Sequence, residues 1–301
     1  MIGLEGAPVA TLAGGAHWFE YPHIDPVALH IGRLAIRWYG LSYLFGAILV
    51  YLQLQSARSR DRTGMTVDQA QELVVYAMIG VIVGGRALFV IADMLTPPSA
   101  GGHPLSYYLS NPLEFISIWH GGMAFHGGFL GALGGIWFFV RRNALKFFRV
   151  CDEVALWMPV AITLTRITNF INGELPGRVT DAPVGFLFPG FAGYRYPSQL
   201  FEALGMLVVV LPLLWLLHAT KWRRDGLIFW AFIATYGLVR TVVEFYREPG
   251  IIVLGLTAAQ YLTLIMLVVG GVMMWRAQRT SAEAPRTTAS GRVARKSAQR
   301  P

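Results

Sequence analysis

Seven apolar stretches, each about as long as a membrane is thick, constrain this chain more than any other feature. They run Leu34–Leu54, Ala70–Met94, Gly121–Val140, Asp152–Ile171, Ser198–Leu217, Gly226–Phe245 and Thr257–Trp275. A helix of about 20 residues crosses roughly 30 Å of hydrocarbon and satisfies its own backbone hydrogen bonds there. The pattern predicts an all-α polytopic membrane protein with seven transmembrane helices. Composition agrees: 54% hydrophobic against 14% charged residues over 301 leaves a soluble domain too little polar surface to cover itself. A disordered chain, a secreted disulfide scaffold and a two-domain soluble enzyme are excluded. Cys151, the single cysteine, makes neither an internal disulfide nor a cysteine metal cluster.

The net charge of +8 invites a nucleic-acid reading, but its distribution argues for topology instead. Seventeen of the 25 Lys and Arg fall on one side. They follow the first run (Arg58, Arg60, Arg62), the third (Arg141, Arg142, Lys146, Arg149) and the fifth (Lys221, Arg223, Arg224), and fill the tail from Arg276. Five lie on the other side, and Arg86, Arg166 and Arg240 lie inside runs. The positive-inside rule then puts the N-terminus outside and the C-terminus in the cytoplasm. Residues 1–33 form an outer segment in which His23–Arg37 is expected to include a short interfacial helix. Nothing in its first 16 residues has the basic start of a cleaved signal peptide. Residues 34–275 form the membrane domain, with ordered outer loops at Leu95–His120 and Asn172–Pro197. Residues 276–301 read as a disordered basic tail, either a solvated topology signal or a contact for anionic membrane lipids.

Arginine at a helix centre costs roughly 2.5–3.5 kcal/mol on insertion scales, so such residues face a bundle interior or a wet cavity. The topology places Arg166 at the outer end of the fourth run, beside Asn169 and Asn172. Tyr236, Arg240 and Glu244, spaced by four, share one helix face in the outer half of the sixth. Trp38 and Tyr39 open the first run, Ser198, Gln199 and Glu202 the fifth, and Arg86 and His126 sit at similar depth. The inner halves are read as nearly pure hydrocarbon. A cavity opening to the outer leaflet fits this better than an ion path, and an excess of Arg suits phosphate. A phospholipid head group is the expected ligand. Two alternatives stay open: Arg240 and Glu244 as a self-neutralising pair, and Arg86, after Gly84-Gly85, as a clamp on a loop.

The third run carries Gly121-Gly122-Met123-Ala124-Phe125-His126-Gly127-Gly128, then Gly131, Gly134 and Gly135. Small residues at Gly127, Gly131 and Gly135 let two helices pack closely. Gly121 and Gly122 allow backbone to approach a ligand. His126 is a base, a donor or a structural group.

These segments together resemble the bacterial prolipoprotein diacylglyceryl transferases, from about Asp25 to Gly270. The resemblance rests on Trp38-Tyr39-Gly40-Leu41, Gly84-Gly85-Arg86, the Gly121–Gly128 segment and Arg166-Ile167-Thr168-Asn169-Phe170-Ile171-Asn172-Gly173-Glu174 with Gly177-Arg178. Pro197-Ser198-Gln199-Leu200-Phe201-Glu202, Tyr236-Gly237-Leu238-Val239-Arg240 and Glu244-Phe245-Tyr246-Arg247 complete it. It implies transfer of a diacylglyceryl group from phosphatidylglycerol to the lipobox cysteine thiol of a prolipoprotein. A thioether forms and glycerol phosphate leaves, at the outer side of the bacterial inner membrane. Arg166, Arg240, His126, Glu174 and Tyr236 are the candidate catalytic residues. Arg166, Arg240, Asn169, Tyr39, Arg86, Gly121, Gly122, Glu244 and Arg247 are the candidate head-group contacts. The base is left among His126, Glu174, Glu244 and water. No cofactor, metal or nucleic acid is implied. Two positions depart from the family pattern: His120, where many members have an acid, and Tyr196, where many have His. A transporter or flippase for anionic lipid is the alternative, although it predicts a midplane site and repeat-like halves. A seven-helix receptor or scaffold would not need buried arginines at one depth.

Overall fold

The computed structural model describes residues 19–279, apart from 33, 119, 120, 221–223 and 251. His120 and most of the basic tail lie outside the described residues. A hairpin, β1 (Val27–Ile31) and β2 (Leu34–Arg37), leads into α1 (Trp38–Gln55) and α2 (Ala57–Thr63). Next come α3 (Val67–Leu95), α4 (Leu105–Ser110), α5 (Phe125–Arg142), α6 (Phe147–Ala155) and α7 (Met158–Ile171). The chain continues with α8 (Ser198–Gly205), α9 (Leu211–Ala219), α10 (Leu227–Glu244), a short hairpin β3 (Ile252–Val253) and β4 (Leu256–Thr257), and α11 (Ala258–Arg279).

The short interfacial helix expected within His23–Arg37 is instead this first hairpin. Its apolar residues Val27, Leu29 and Ile31 alternate with period two, and Gly32 at φ +60° turns the chain. The first apolar run therefore becomes helical only at Trp38.

Four helices are long and apolar enough to cross a membrane by length and composition: α3, the continuous α8–α9 segment, α10 and α11. The number rises to six if two bent pairs, α1–α2 at 72° and α6–α7 at 46°, each count as one span. The seven-fold expectation is thus met only in its coarser form, a mostly helical membrane protein. The run Gly121–Val140 became α5, whose five glycines and terminal Arg141 and Arg142 depress its hydropathy. The run Asp152–Ile171 breaks ahead of Pro159, which lacks the N–H that a continuing helix requires. Between α8 and α9 a π turn, Met206–Val210, precedes Pro212 for the same reason.

Close packing explains the glycines. A Cβ on Gly84 would collide with the Gly127 carbonyl, and one on Gly131 with that of Gly80, so α3 and α5 touch backbone to backbone. Gly237 and Gly270 bring α10 and α11 together in the same way. Leu54, Phe139, Val150, Leu156, Met206, Leu214 and Ile228 form the dry centre of the bundle. Large apolar side chains such as Ile79, Val83, Leu204, Val208 and Ile265 point outward, as a lipid-facing surface requires.

The nearly pure hydrocarbon expected in the inner halves is not what the fold contains. At the end opposite Arg166, Asp152 and Glu153 of α6 are fully buried. Asp152 meets Arg62 at 2.5 Å and accepts the Gly226 and Phe229 backbone N–H groups at 3.0 and 2.9 Å, capping α10 from another helix. Glu153 accepts from Gln53 Nε2 at 2.8 Å and lies 3.7 Å from His218 Nε2. Burial of α6 under α2 and α10, which no single run announces, makes these acids interior.

Candidate active site

The site is built where α1, α7, α8, α10 and the start of α11 end together. Arg166, on the last turns of α7, directs Nε to Glu202 Oε1 of α8 at 2.9 Å. Its Nη1 donates to Asn169 Oδ1, one turn on, at 3.1 Å. Glu202 is fully buried, and its second oxygen lies 3.9 Å from Arg240 Nε. Tyr236, one turn before Arg240 on α10, lies against both Arg166 and Glu202. One carboxylate therefore sets two guanidiniums from different helices side by side.

Beyond Arg240 the chain of charges continues. Arg240 Nη1 meets Glu244 Oε2 at 2.5 Å, and Arg247 Nε lies 3.8 Å from the same oxygen. Burial, together with the like charge of Arg240, pushes the Arg247 pKa below its ordinary value. Three arginines share two carboxylates here, so this part of the cluster carries spare positive charge in a desolvated place. That arrangement favours an anion.

A third carboxylate stands apart from the arginines. Glu174 accepts from Tyr39 Oη at 2.8 Å, from Asn169 Nδ2 at 3.0 Å and from Asn172 Nδ2 at 3.1 Å. Asn169 also donates to Tyr39 Oη, and Gln199 Nε2 to the Glu174 carbonyl. The loop after α7 holds this geometry. Gly173, at φ +69°, turns the chain back, and the Gly177 and Arg178 N–H groups bond the Tyr196 and Tyr246 carbonyls. The Arg178 guanidinium adds a bond to the Arg247 carbonyl at 2.8 Å.

The remaining expected residues gather elsewhere, on α3 and α5. Arg86 donates to the carbonyls of Phe115 at 3.2 Å, Gly121 at 2.8 Å, Gly122 at 3.1 Å and also Glu114. These bonds tie Arg86 to the loop, as the clamp alternative expects. Gly121 and Gly122, at φ +89° and +79°, shape the clamped turn. A Cβ on Gly122 would collide with the Phe89 ring. His126 is exposed in the first turn of α5 and stands edge-on to Phe125. Among the described residues, no hydrogen bond ties it to the arginine cluster. Tyr196 packs its ring on Tyr246 and Phe201, with centroids 5.2 and 6.1 Å away.

Arg166, Arg240, Asn169, Tyr39, Glu174, Tyr236, Glu244 and Arg247 all stand among the candidates of the sequence, and the fold joins them. Glu202 stands at the same depth in the sequence but carries no role there. The available signal was an acid in an apolar helix at the depth of two arginines, which must be paired.

A family model described as prolipoprotein diacylglyceryl transferase matches residues 26–276. The chain belongs to the prolipoprotein diacylglyceryl transferase family. A relative from Geobacter sulfurreducens, named phosphatidylglycerol–prolipoprotein diacylglyceryl transferase, is 41% identical over 262 residues, covering 84% of this chain and 95% of its own. One of the same name from Bordetella parapertussis is 42% identical over 271 residues, covering 87% and 99%. Another, from Cupriavidus metallidurans, is 40% identical over 269 residues, covering 86% and 95%. The cluster of Arg166, Glu202, Arg240 and Glu244 lies wholly within the span that defines the family.

Proposed function

We propose that this chain transfers the diacylglyceryl group of phosphatidylglycerol to the lipobox cysteine thiol of a prolipoprotein, releasing glycerol phosphate. The observation that carries the site assignment is buried Glu202 aligning Arg166 and Arg240, two cations brought together from separate helices. In the reaction a sulfur–carbon bond forms at the glyceryl carbon bearing the phosphate, and the carbon–oxygen bond to that phosphate breaks. The thiol proton goes to a base. Negative charge grows on the leaving phosphate, and preorganised guanidiniums stabilise such charge in a dry site. Arg166 and Arg240 hold the phosphate, with Arg247 adding charge beside them. Glu174 takes the thiol proton. It is the cluster's carboxylate held by neutral donors, Tyr39, Asn169 and Asn172, whereas Glu202 and Glu244 are engaged by arginines. The nucleophile belongs to the substrate, in keeping with buried Cys151 at the far end of the bundle.

The same reading has seven spans, α5 joining the six because its glycines bind it to α3. The Lys and Arg distribution supports an N-terminus outside and the site facing the periplasm. Reporter fusions at the two termini and in the loop at 143–146 test this orientation.

Incubating the membrane-embedded protein with phosphatidylglycerol and a lipobox-cysteine peptide should yield the thioether-linked diacylglyceryl peptide. No product from correctly inserted protein would sink the proposal. Movement of phosphatidylglycerol between leaflets without product would favour the transporter reading instead.

A further inference from the structure

Glu244 has two oxygens with different neighbours. Oε2 faces Arg240 and Arg247, while Oε1 accepts a hydrogen bond at 2.9 Å from the hydroxyl of Thr257, at the start of α11. Thr257 is buried and performs a second task there. Its Oγ1 accepts the Gln260 backbone N–H at 3.2 Å, and Gln260 Oε1 accepts the Thr257 N–H at 2.9 Å. This is the reciprocal capping arrangement that starts a helix. A hydroxyl has one proton. Because the helix cap uses an oxygen lone pair, that proton is left for Glu244. The β3–β4 hairpin, pairing Ile252 with Thr257, and the close α10–α11 contact at Gly237 hold the two residues in register. Thr241 and Thr263 add a hydroxyl–hydroxyl bond at 2.8 Å between the same helices.

We propose that Thr257 is a positioning residue for the transfer reaction: its hydroxyl pins one oxygen of Glu244, so that only the other reaches Arg240 and Arg247. Released from Thr257, the carboxylate turns both oxygens toward the arginines and competes with the substrate phosphate for them. Thr257 thus keeps Glu244 a monodentate guide and leaves guanidinium donors for an anion. The inference rests on the function proposed above.

The test measures thioether formation against phosphatidylglycerol concentration, alongside melting temperature. Thr257→Val keeps the shape and removes the hydroxyl. A bond to a charged group of the ordinary strength predicts a rise in KM for phosphatidylglycerol of about tenfold, with kcat falling less than about threefold. Thr257→Ser should restore both to within about twofold of wild type. Gln260→Ala weakens the helix cap but leaves the hydroxyl, so it should lower the melting temperature and leave KM within about twofold. An unchanged KM in Thr257→Val overturns the proposal, as does a KM in Gln260→Ala raised equally. If Thr257→Val does not fold, Thr257→Gly takes its place, since glycine is tolerated at a helix start and offers Glu244 no hydroxyl. It must raise KM, and an unchanged value overturns the proposal. Wild-type protein that makes no thioether would refute the function itself, a result separable from all of these.

Discussion

Arg166 Nε and Glu202 Oε1 stand 2.9 Å apart, and Glu202 has no exposed surface. The pair ties α7 to α8, and the second Glu202 oxygen extends the tie to Arg240 of α10. An uncompensated buried charge is strongly destabilising, and removing one partner of such a pair typically costs about 3–5 kcal/mol. Glu202→Ala is therefore expected to lower the melting temperature in detergent and abolish turnover. Glu202→Gln keeps the shape and loses the charge. It should cut kcat by about tenfold or more without raising KM for phosphatidylglycerol, because the arginines become freer for anions but lose their alignment. A rise in KM with unchanged kcat would contradict the alignment role.

Arg166→Ala and Arg240→Ala should each remove detectable thioether product while the protein still inserts. Lysine should not rescue either position, since a compact ammonium cannot offer the guanidinium's fork of donors. Near-normal rates in either alanine variant would show that the phosphate sits elsewhere.

The proton assignment separates two residues. Glu174→Gln should lose most activity across the pH range, because the amide cannot accept the thiol proton. His126→Asn should retain the pH–rate profile, shifted only in amplitude. The reverse result would move the base to α5.

Helix contact at α3 and α5 predicts a sharp contrast between neighbouring glycines. Gly131→Val places side-chain atoms where the Gly80 carbonyl lies and should reduce both the yield of folded protein and its melting temperature. Gly134→Ala, with nothing within 4 Å of the added carbon, should be neutral or slightly stabilising.

Asp152 caps α10 and pairs with Arg62 far from the arginine cluster. Asp152→Ala should cost about 3–5 kcal/mol of stability, measured by thermal unfolding. The rate per folded molecule should change less than about twofold, since α10 remains packed along its length.

The groups that bear on chemistry were legible because lipid penalises them. An arginine or asparagine inside an apolar run has to face something polar, so Arg166, Asn169, Arg240 and Glu244 identified themselves, and their common depth pointed to one site. Tyr39 was placed by depth and Glu174 by resemblance, and their shared hydrogen bonds with Asn169 are visible only in the fold. The first strand of the hairpin, Val27–Ile31, follows a period of two that a helical expectation overlooks. The bonds from Arg86 to the Gly121 and Gly122 carbonyls are visible only in the fold.

Composition and hydropathy by themselves determined a helical membrane protein, because a run of some 20 apolar residues has few other stable homes. What they could not determine is which polar group meets which. Asp152 and Glu153 looked like the start of a span until α2 and α10 covered them. Glu202 was one acid among several until Arg166 and Arg240 approached it from two other helices. Ion pairs between helices depend on which faces meet and on their rotation about their axes. Those are set by side-chain packing over the whole bundle, such as the glycine contact of α3 with α5, and no single segment encodes them.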